Sequence, residues 1–293
     1  MSVIVYLNGE FVPMAQARVS VMDRGFLFGD AVYEVIPFFY GIGFRLEQHL
    51  QRLQYCLDAV GIVLDLDWKP LFDRLLDLNE GVHQAVYLQI SRGVMCERSL
   101  RYDEDLQPSV FAYSYPIRIA LEGPLEQIAG VIAMTVTDQR WGRCDIKATG
   151  LLANILAIRQ AQQQGAQEAL LVRQGYLTEG ASCNLFVVEQ GQVYTPLMDS
   201  HALAGTTRSL LLELMSEAGI CCIEQPIAEQ RLAQAQEVWI SSSTRGVLPV
   251  IRINDQPVAA GVPGPLWRRV AELFQQFERQ MFFEYEKTRK REK

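Results

Sequence analysis

Lys147 stands in the stretch Asp145-Ile146-Lys147, between an apolar run at 131–136 that reads as a strand and a helix-forming run at 151–163. A strand-to-helix junction is a rigid place from which to aim one amine. The nearby arginines, Arg140 and Arg143, disfavour its ammonium form. A lysine held neutral is the nucleophile that forms Schiff bases with carbonyl compounds. A lone junction lysine is ordinarily just a solvated charge, so the chemical reading needs companions.

Two hydroxyl-rich turns supply them. Gly205-Thr206-Thr207-Arg208 runs into a helix expected at 209–218, where close backbone, hydroxyl donors and the positive end of the helix dipole suit an anion. Ser242-Ser243-Thr244-Arg245-Gly246 is a second turn of the same kind. Either alone is an ordinary cap or turn. Both together with a Schiff-base lysine suit a phosphorylated aldehyde, pyridoxal 5′-phosphate (PLP), better than a nucleotide. The patterns G-x-G-x-x-G and G-x-x-x-x-G-K-[ST] are absent, which lowers the case for dinucleotide or ATP binding. Glu179, in Leu177-Thr178-Glu179-Gly180, falls among residues expected to be buried, and a carboxylate there needs a partner. With PLP as ligand, an acid can keep the pyridine nitrogen protonated and the ring electron-withdrawing. Without it, Glu179 is a strand-end surface acid.

The elements that must position these groups follow in chain order. Residues 3–40 read as a small sheet, with a hairpin turn at Asn8-Gly9 and turn signals at Asp23-Arg24-Gly25 and Phe28-Gly29-Asp30. Leu46, Leu50, Leu53, Leu57 and Val60 set a helix over 45–60, and Arg52 falls off that stripe. A second helix is expected at 68–78, then strands at 85–91 and 109–115. Pro116 and Gly123-Pro124 bracket a boundary, giving a small α/β domain at 1–118, a linker at 119–124 and a larger domain at 125–293. The larger domain holds the 131–136 strand, the 151–163 helix and a meander at 168–195 turned by Gln174-Gly175 and Gln190-Gly191. Strands at 221–225 and 237–241 follow. The last helix, 265–284, carries Leu266, Val270, Leu273, Phe274 and Phe277 on one face, and a charged tail at 284–293 is expected to fray.

Composition bounds the rest. With 27 Lys and Arg against 34 Asp and Glu, the net charge of −7 gives no basic stripe for nucleic acid. Apolar runs fall far short of the ~20 residues of a membrane span. The N-terminus begins as a strand with no cleavable apolar segment, so a cytoplasmic protein is expected. Six cysteines with no C-x-x-C pair, and only three histidines, read as reduced, mostly buried thiols with no metal site.

Phe28-Gly29-Asp30-Ala31-Val32-Tyr33-Glu34, Glu47-Gln48-His49-Leu50-Gln51-Arg52-Leu53, Asp145-Ile146-Lys147, Leu177-Thr178-Glu179-Gly180 through Asn184, Gly205-Thr206-Thr207-Arg208 and Ser242-Ser243-Thr244 occur in that order. The combination resembles the class IV, fold-type IV PLP aminotransferases, and within them the D-amino acid aminotransferases. The match runs from about residue 3 to residue 280. The resemblance implies a mixed α/β (α+β) fold, a small N-terminal α/β domain plus a larger domain with a barrel-like β core, and PLP in the cleft between them. It implies a Schiff base on Lys147, Glu179 at the pyridine nitrogen, and Arg52, Thr207 and Thr244 at the phosphate. Thr206 and Ser243 lie in the same turns, and Asn184 belongs to the same set. Arg140 is implied near the ring and Tyr33 on the substrate side. The expected reaction moves an amino group from a D-amino acid such as D-alanine to 2-oxoglutarate or pyruvate. A homodimer is implied, because the family completes each site with the neighbouring subunit.

One departure bears on the substrate. D-amino acid aminotransferases of this kind carry an Arg-x-His pair that clamps the α-carboxylate, whereas Ser91 to Arg101 here contains no histidine. Arg98, displaced by one residue, is the candidate substrate residue, against the alternative of a solvated loop arginine. Aminodeoxychorismate lyases and branched-chain aminotransferases of the same fold also lack the pair. They, and (R)-amine transaminases, are the alternatives. The helix at 151–157 looks like the D-amino acid group. A protein that only carries PLP without turnover has little use for both Lys147 and Glu179.

Overall fold

The Asn8-Gly9 turn forms as expected: both residues take positive φ, 49° and 100°, and close a hairpin between β1 (Ile4–Leu7) and β2 (Glu10–Pro13). The computed structural model describes residues 3–103 and 105–291. The chain divides into two units, Met1–Arg118 with Ile146–Gly150, and Ile119–Asp145 with Leu151–Lys293. Ile146–Gly150, which the expected division leaves in the larger domain, thus belongs with the first unit.

In the first unit, Asp23 caps a short helix, α1 (Arg24–Phe28), by accepting from Gly25 N at 2.8 Å, where turn signals alone were read. Then come β3 (Ala31–Phe39), β4 (Ile42–Gly43), α2 (Leu46–Val60), α3 (Trp68–Leu78), β5 (His83–Ser91) and β6 (Ser109–Pro116). The sheet order is β2-β1-β6-β5-β3-β4, with every pairing antiparallel. Strand alternation sends Val32, Ile36, Val86, Leu88, Val110 and Ala112 to one face. There they pack with Leu53, Leu57, Phe72 and Leu75 of α2 and α3 to form this unit's core.

The second unit contains β7 (Val131–Thr137), α4 (Leu152–Gln163), β8 (Glu168–Arg173), β9 (Tyr176–Gly180), β10 (Asn184–Glu189), β11 (Gln192–Thr195), α5 (Thr206–Glu217) and β12 (Cys222–Glu224). It continues with β13 (Ile227–Ala228), β14 (Glu237–Ser242), β15 (Gly246–Ile253), β16 (Gln256–Pro257) and α6 (Pro265–Arg291). The strands make one ten-stranded sheet, ordered β12-β11-β10-β14-β15-β7-β8-β9-β13 with β16 on β15, and the sheet curls as a half-barrel. Leu170, Leu185, Val187, Val238 and Ile240 fill one core. Val136, Ala169 and Leu171 take Ala157 and Ala161 of α4 on another, and small residues there let helix and sheet approach closely. The fold is mixed α/β, as the motifs imply.

The last helix continues to Arg291 rather than ending at 284, because the added residues are mostly good helix formers. The remainder of the expected frayed tail, 292–293, lies outside the described residues. Cys56, Cys144 and Cys183 are buried free thiols, but Cys96 and Cys221 are exposed. Among the described residues, no helix is long and apolar enough to cross a membrane, and no cluster of His, Cys, Asp or Glu is arranged to hold a metal.

Glu278 lies on the inner face of α6, 3% exposed. Burial pushes its carboxyl up from 4.5 to about 7, only partly offset by Arg279. Between those two values the folded chain keeps a proton that the unfolded chain has lost, so stability falls as pH rises. Glu278→Gln is expected to remove that slope and to be more stable than the parent above pH 7 by roughly 2 to 3 kcal/mol. Urea midpoints across pH 4 to 8 test this; parallel curves for the two proteins contradict it.

Candidate active site

In the first unit, Lys147 lies on a segment stitched to the start of β3. Tyr33 N donates to Lys147 O at 3.0 Å, and Thr149 N donates to Ala31 O at 3.0 Å. Ala148 forms a bridge with Val32, and Lys147 N also donates to Cys56 Sγ at 3.3 Å. The backbone is therefore fixed on both sides of the lysine. Its Nζ sits 4.2 Å from the centre of the Tyr33 ring, a cation–π distance. Tyr33 is in turn stacked on Tyr87, with centroids 5.6 Å apart.

On the opposite, core-facing side of β3 lies Glu34, fully buried. A carboxylate there requires cations and donors. Arg52 forks it, Nε to Oε1 at 2.7 Å and Nη2 to Oε2 at 2.8 Å, and His49 Nδ1 meets Oε2 at 2.8 Å. Since Oε2 only accepts, Nδ1 carries the proton, and the 3.5 Å approach of Arg52 Nη2 to that nitrogen is a contact and not a hydrogen bond. Burial alone would raise Glu34; Arg52 and His49 outweigh it and hold the carboxyl well below its ordinary value. Burial lowers His49, against the pull of Glu34, so the ring is neutral. Arg52, singled out for a phosphate, thus has its guanidinium plane set by Glu34.

The stretch after β5 separates its arginines. Arg92 is buried and committed to Asp30, Val60 O and Gly61 O, the last two at 2.6 and 3.0 Å. Arg24 is buried as well, donating to Asp30 at 2.7 Å and to Ser99 O at 2.8 Å. Arg98 is exposed, its guanidinium 5.0 Å over the Phe28 ring. A carboxylate ligand can meet Arg98, whereas Arg92 is spent on the fold.

In the second unit, Glu179 is 5% exposed at the end of β9. Arg140 Nη1 donates to its Oε1 at 2.5 Å, and Oε2 accepts from Asn184 Nδ2 at 3.2 Å and Leu203 N at 3.1 Å. Arg140 also holds Asp138, through Nε at 3.0 Å and Nη2 at 3.0 Å, and donates to His201 O at 2.9 Å. Burial opposes the charge of Asp138, but Arg140 and Arg173 bring its carboxyl down to about 2. Arg140 is thus the clamp on Glu179. The arginines expected to act on Lys147 as free charges are both ion-paired, Arg140 to Asp138 and Glu179, Arg143 to Asp145.

The two hydroxyl turns meet. Thr206 Oγ1 and Ser243 Oγ are 3.1 Å apart, joining the start of α5 to the turn after β14. Gly205 caps α5 without a side-chain hydrogen bond, and a Cβ there would run into the Asn184 side chain. Thr207 is 1% exposed and its Oγ1 has no hydrogen-bond partner among the described residues. An orphaned buried hydroxyl at a helix N-terminus is what a phosphate would satisfy, so these residues fit the phosphate end of PLP. Thr244 is half-buried in the same turn, and Arg245 holds the turn by an ion pair to Glu168 at 2.6 Å. Arg208 does not belong to the cradle: it is buried against Thr195, Pro196 O and Glu224.

Glu34, His49 and Asp138 escaped the sequence reading. Glu34 had a signal, since it alternates with Val32 and Ile36 on a core face and an acid there must be paired.

The family model for amino-transferase class IV matches residues 31–253. D-alanine aminotransferase of Bacillus licheniformis is 38% identical over 274 residues, covering 92% of this chain and 95% of that protein. Among solved structures, the branched-chain amino acid aminotransferase of Escherichia coli aligns with a TM-score of 0.83 at 26% identity, over 93% of each chain. The branched-chain aminotransferase of the archaeon Thermoproteus uzoniensis, solved with norvaline, aligns with a TM-score of 0.83 at 25% identity, over 94% of each chain.

Removing one partner from the Glu34 cluster leaves a buried carboxylate uncompensated. Arg52→Met is expected to cost about 3 to 5 kcal/mol of stability. Adding Glu34→Gln to it should recover part of that loss. Urea unfolding of the single and double variants measures both, and a single variant within about 1 kcal/mol of the parent contradicts the assignment.

Proposed function

The chain belongs to the class IV aminotransferase family, and we propose that, with PLP bound, it transfers the amino group of a D-amino acid to a 2-oxo acid. The carrying observation is one backbone-fixed amine, Lys147 Nζ, over the Tyr33 ring in a chain 38% identical to a D-alanine aminotransferase. A D-amino acid such as D-alanine as donor, with 2-oxoglutarate or pyruvate as acceptor, fits this reading.

Bound PLP supplies an electrophilic carbon that takes up amines and a pyridinium ring that withdraws electrons from the donor's α-carbon. The protein supplies the rest. Lys147 Nζ would hold the cofactor and, once free, would move the proton at the donor Cα, acting as base and then acid. Tyr33, braced by Tyr87, keeps the amine on station between these roles. Glu179 would pair with the pyridine nitrogen and favour its protonated form, and the clamp of Arg140 and Asn184 keeps its oxygens from turning away. Thr206, Thr207, Ser243 and Thr244, with the start of α5 and with Arg52, take the phosphate. Arg98 grips the donor's α-carboxylate.

A second reading, an (R)-amine transaminase, is favoured by one observation: the Ser91 to Arg101 stretch has no histidine beside Arg98, so little is left unpaired when a donor lacks a carboxylate. We also propose a cytoplasmic homodimer. Leu152, Ile155 and Leu156, at 69, 60 and 48% exposure, form one apolar stripe on the outer side of α4 and suit a subunit contact.

With 2-oxoglutarate as acceptor, D-alanine is expected to yield pyruvate and D-glutamate, and L-alanine neither. Arg98→Ala should raise the KM for D-alanine roughly 10- to 100-fold, the loss of a charge-assisted hydrogen bond of about 1.5 to 3 kcal/mol. Coupled assays decide both points. Turnover of L-alanine alone contradicts the reading, and an unchanged KM removes Arg98 from the substrate site.

A further inference from the structure

One face of the first unit's sheet stays outside that unit's core and is aromatic. Opposite the core-facing residues, alternation places Tyr33 of β3, Tyr87 and Gln89 of β5, and Phe111, Tyr113 and Tyr115 of β6 on a common side. The register pairs Tyr33 with Gln89, Tyr87 with Tyr113, and Gln89 with Phe111. All six are half-buried.

The rings form a continuous path that begins at the reactive amine. From Lys147 Nζ it is 4.2 Å to the Tyr33 ring, 5.6 Å on to Tyr87 and 5.5 Å on to Tyr113. Phe111 flanks both, 6.5 Å from Tyr87 and 5.7 Å from Tyr113, and Tyr115 follows 5.6 Å beyond Tyr113. These spacings are those of favourable offset ring pairs, so an added aryl group of the same size finds a matching surface. Tyr87 Oη donates to Gln89 Oε1 at 2.8 Å, which fixes its ring. Burial, together with Tyr33 and Tyr113, pushes the Tyr87 phenol up to about 12, so it stays neutral. The side chains that form the path, four tyrosines with Phe111 and Gln89, present ring faces and carry no cation. The path has nothing to pair with a side-chain carboxylate.

We propose that this tyrosine path is the side-chain subsite of the amino donor, and that it selects donors with an aryl side chain, D-phenylalanine ahead of D-alanine and of D-aspartate. This rests on the reading of Lys147 as the amine at which the donor reacts. A donor whose α-carbon lies at Nζ extends its β-carbon and ring over Tyr33 toward Tyr87 and Tyr113. Tyr87 meets the donor's ring and Tyr113 backs Tyr87 at 5.5 Å; neither takes part in proton transfer, and together they determine specificity.

The holoenzyme is assayed with D-phenylalanine, D-alanine and D-aspartate, before and after Tyr113→Ala. Binding of 3-phenylpropanoate and of propanoate is measured separately by calorimetry. The expected result is a kcat/KM order with D-phenylalanine first, and a ratio to D-alanine that drops roughly threefold to tenfold in Tyr113→Ala, the size of one aromatic pair. The wild type should bind 3-phenylpropanoate at least about tenfold more tightly than propanoate, with Tyr113→Ala narrowing that gap. Equal donor ratios in both proteins overturn the proposal. So does a Tyr113→Ala variant that falls from dimer to monomer while the two acids bind as before, because the face is then a subunit contact. If Tyr113→Ala does not fold, the wild-type pair of dissociation constants decides alone, and equal values overturn the proposal. Absence of turnover with every D-amino acid overturns the transaminase reading only; the subsite is then judged by the two dissociation constants.

Discussion

Everything chemical in the first unit depends on the main-chain pairing between β3 and the segment that carries Lys147. Two hydrogen bonds, Tyr33 N to Lys147 O and Thr149 N to Ala31 O, turn a loop residue into an extension of a sheet. A lysine side chain has many rotamers, and its usefulness at one atom depends on how well its base is held. β3 does this while presenting different chemistry on its two sides: Tyr33 toward the amine, Glu34 toward the core. Glu34 is tolerable there only because Arg52 and His49 reach it from α2, so the position of the strand, the helix and the lysine are set by one neutralised cluster.

The second unit follows the same rule with different residues. Arg140 lies between two buried acids, Asp138 and Glu179, and the pair gives the guanidinium enough acceptors to be buried. Glu179 thereby keeps one orientation. At the start of α5 the balance is left open: among the described residues the buried Thr207 hydroxyl has no partner and the helix has no side-chain cap. A buried hydroxyl without a partner at the N-terminus of a helix is a place for an anion.

Much of this was legible in the sequence. The α2 stripe from Leu46 to Val60, the Asn8-Gly9 turn and the strands around Glu179 follow from periodicity and turn chemistry, which are local properties. The order of the six motifs carried the family. Partnership was not legible, because it depends on register across the sheet. Arg52 lies off the α2 apolar stripe, and its partner became visible only once β3 placed Glu34 beneath it. Arg140 and Arg143 read as neighbours of Lys147 along the chain, but each is neutralised by a carboxylate two residues away in sequence. The grouping of Ile146–Gly150 with the first unit escaped for the same reason: these five residues follow a strand of one unit and pair with a strand of the other.

The central claim is that Lys147, and no other lysine, is the covalent site for PLP. Borohydride reduction of the purified protein with PLP, followed by proteolysis and mass mapping of the peptides, tests it without any assumption about substrate. The account predicts one pyridoxyl label, on the peptide containing Asp145-Ile146-Lys147, and its loss in Lys147→Ala. A label of equal yield on another lysine, or one that survives Lys147→Ala, contradicts it.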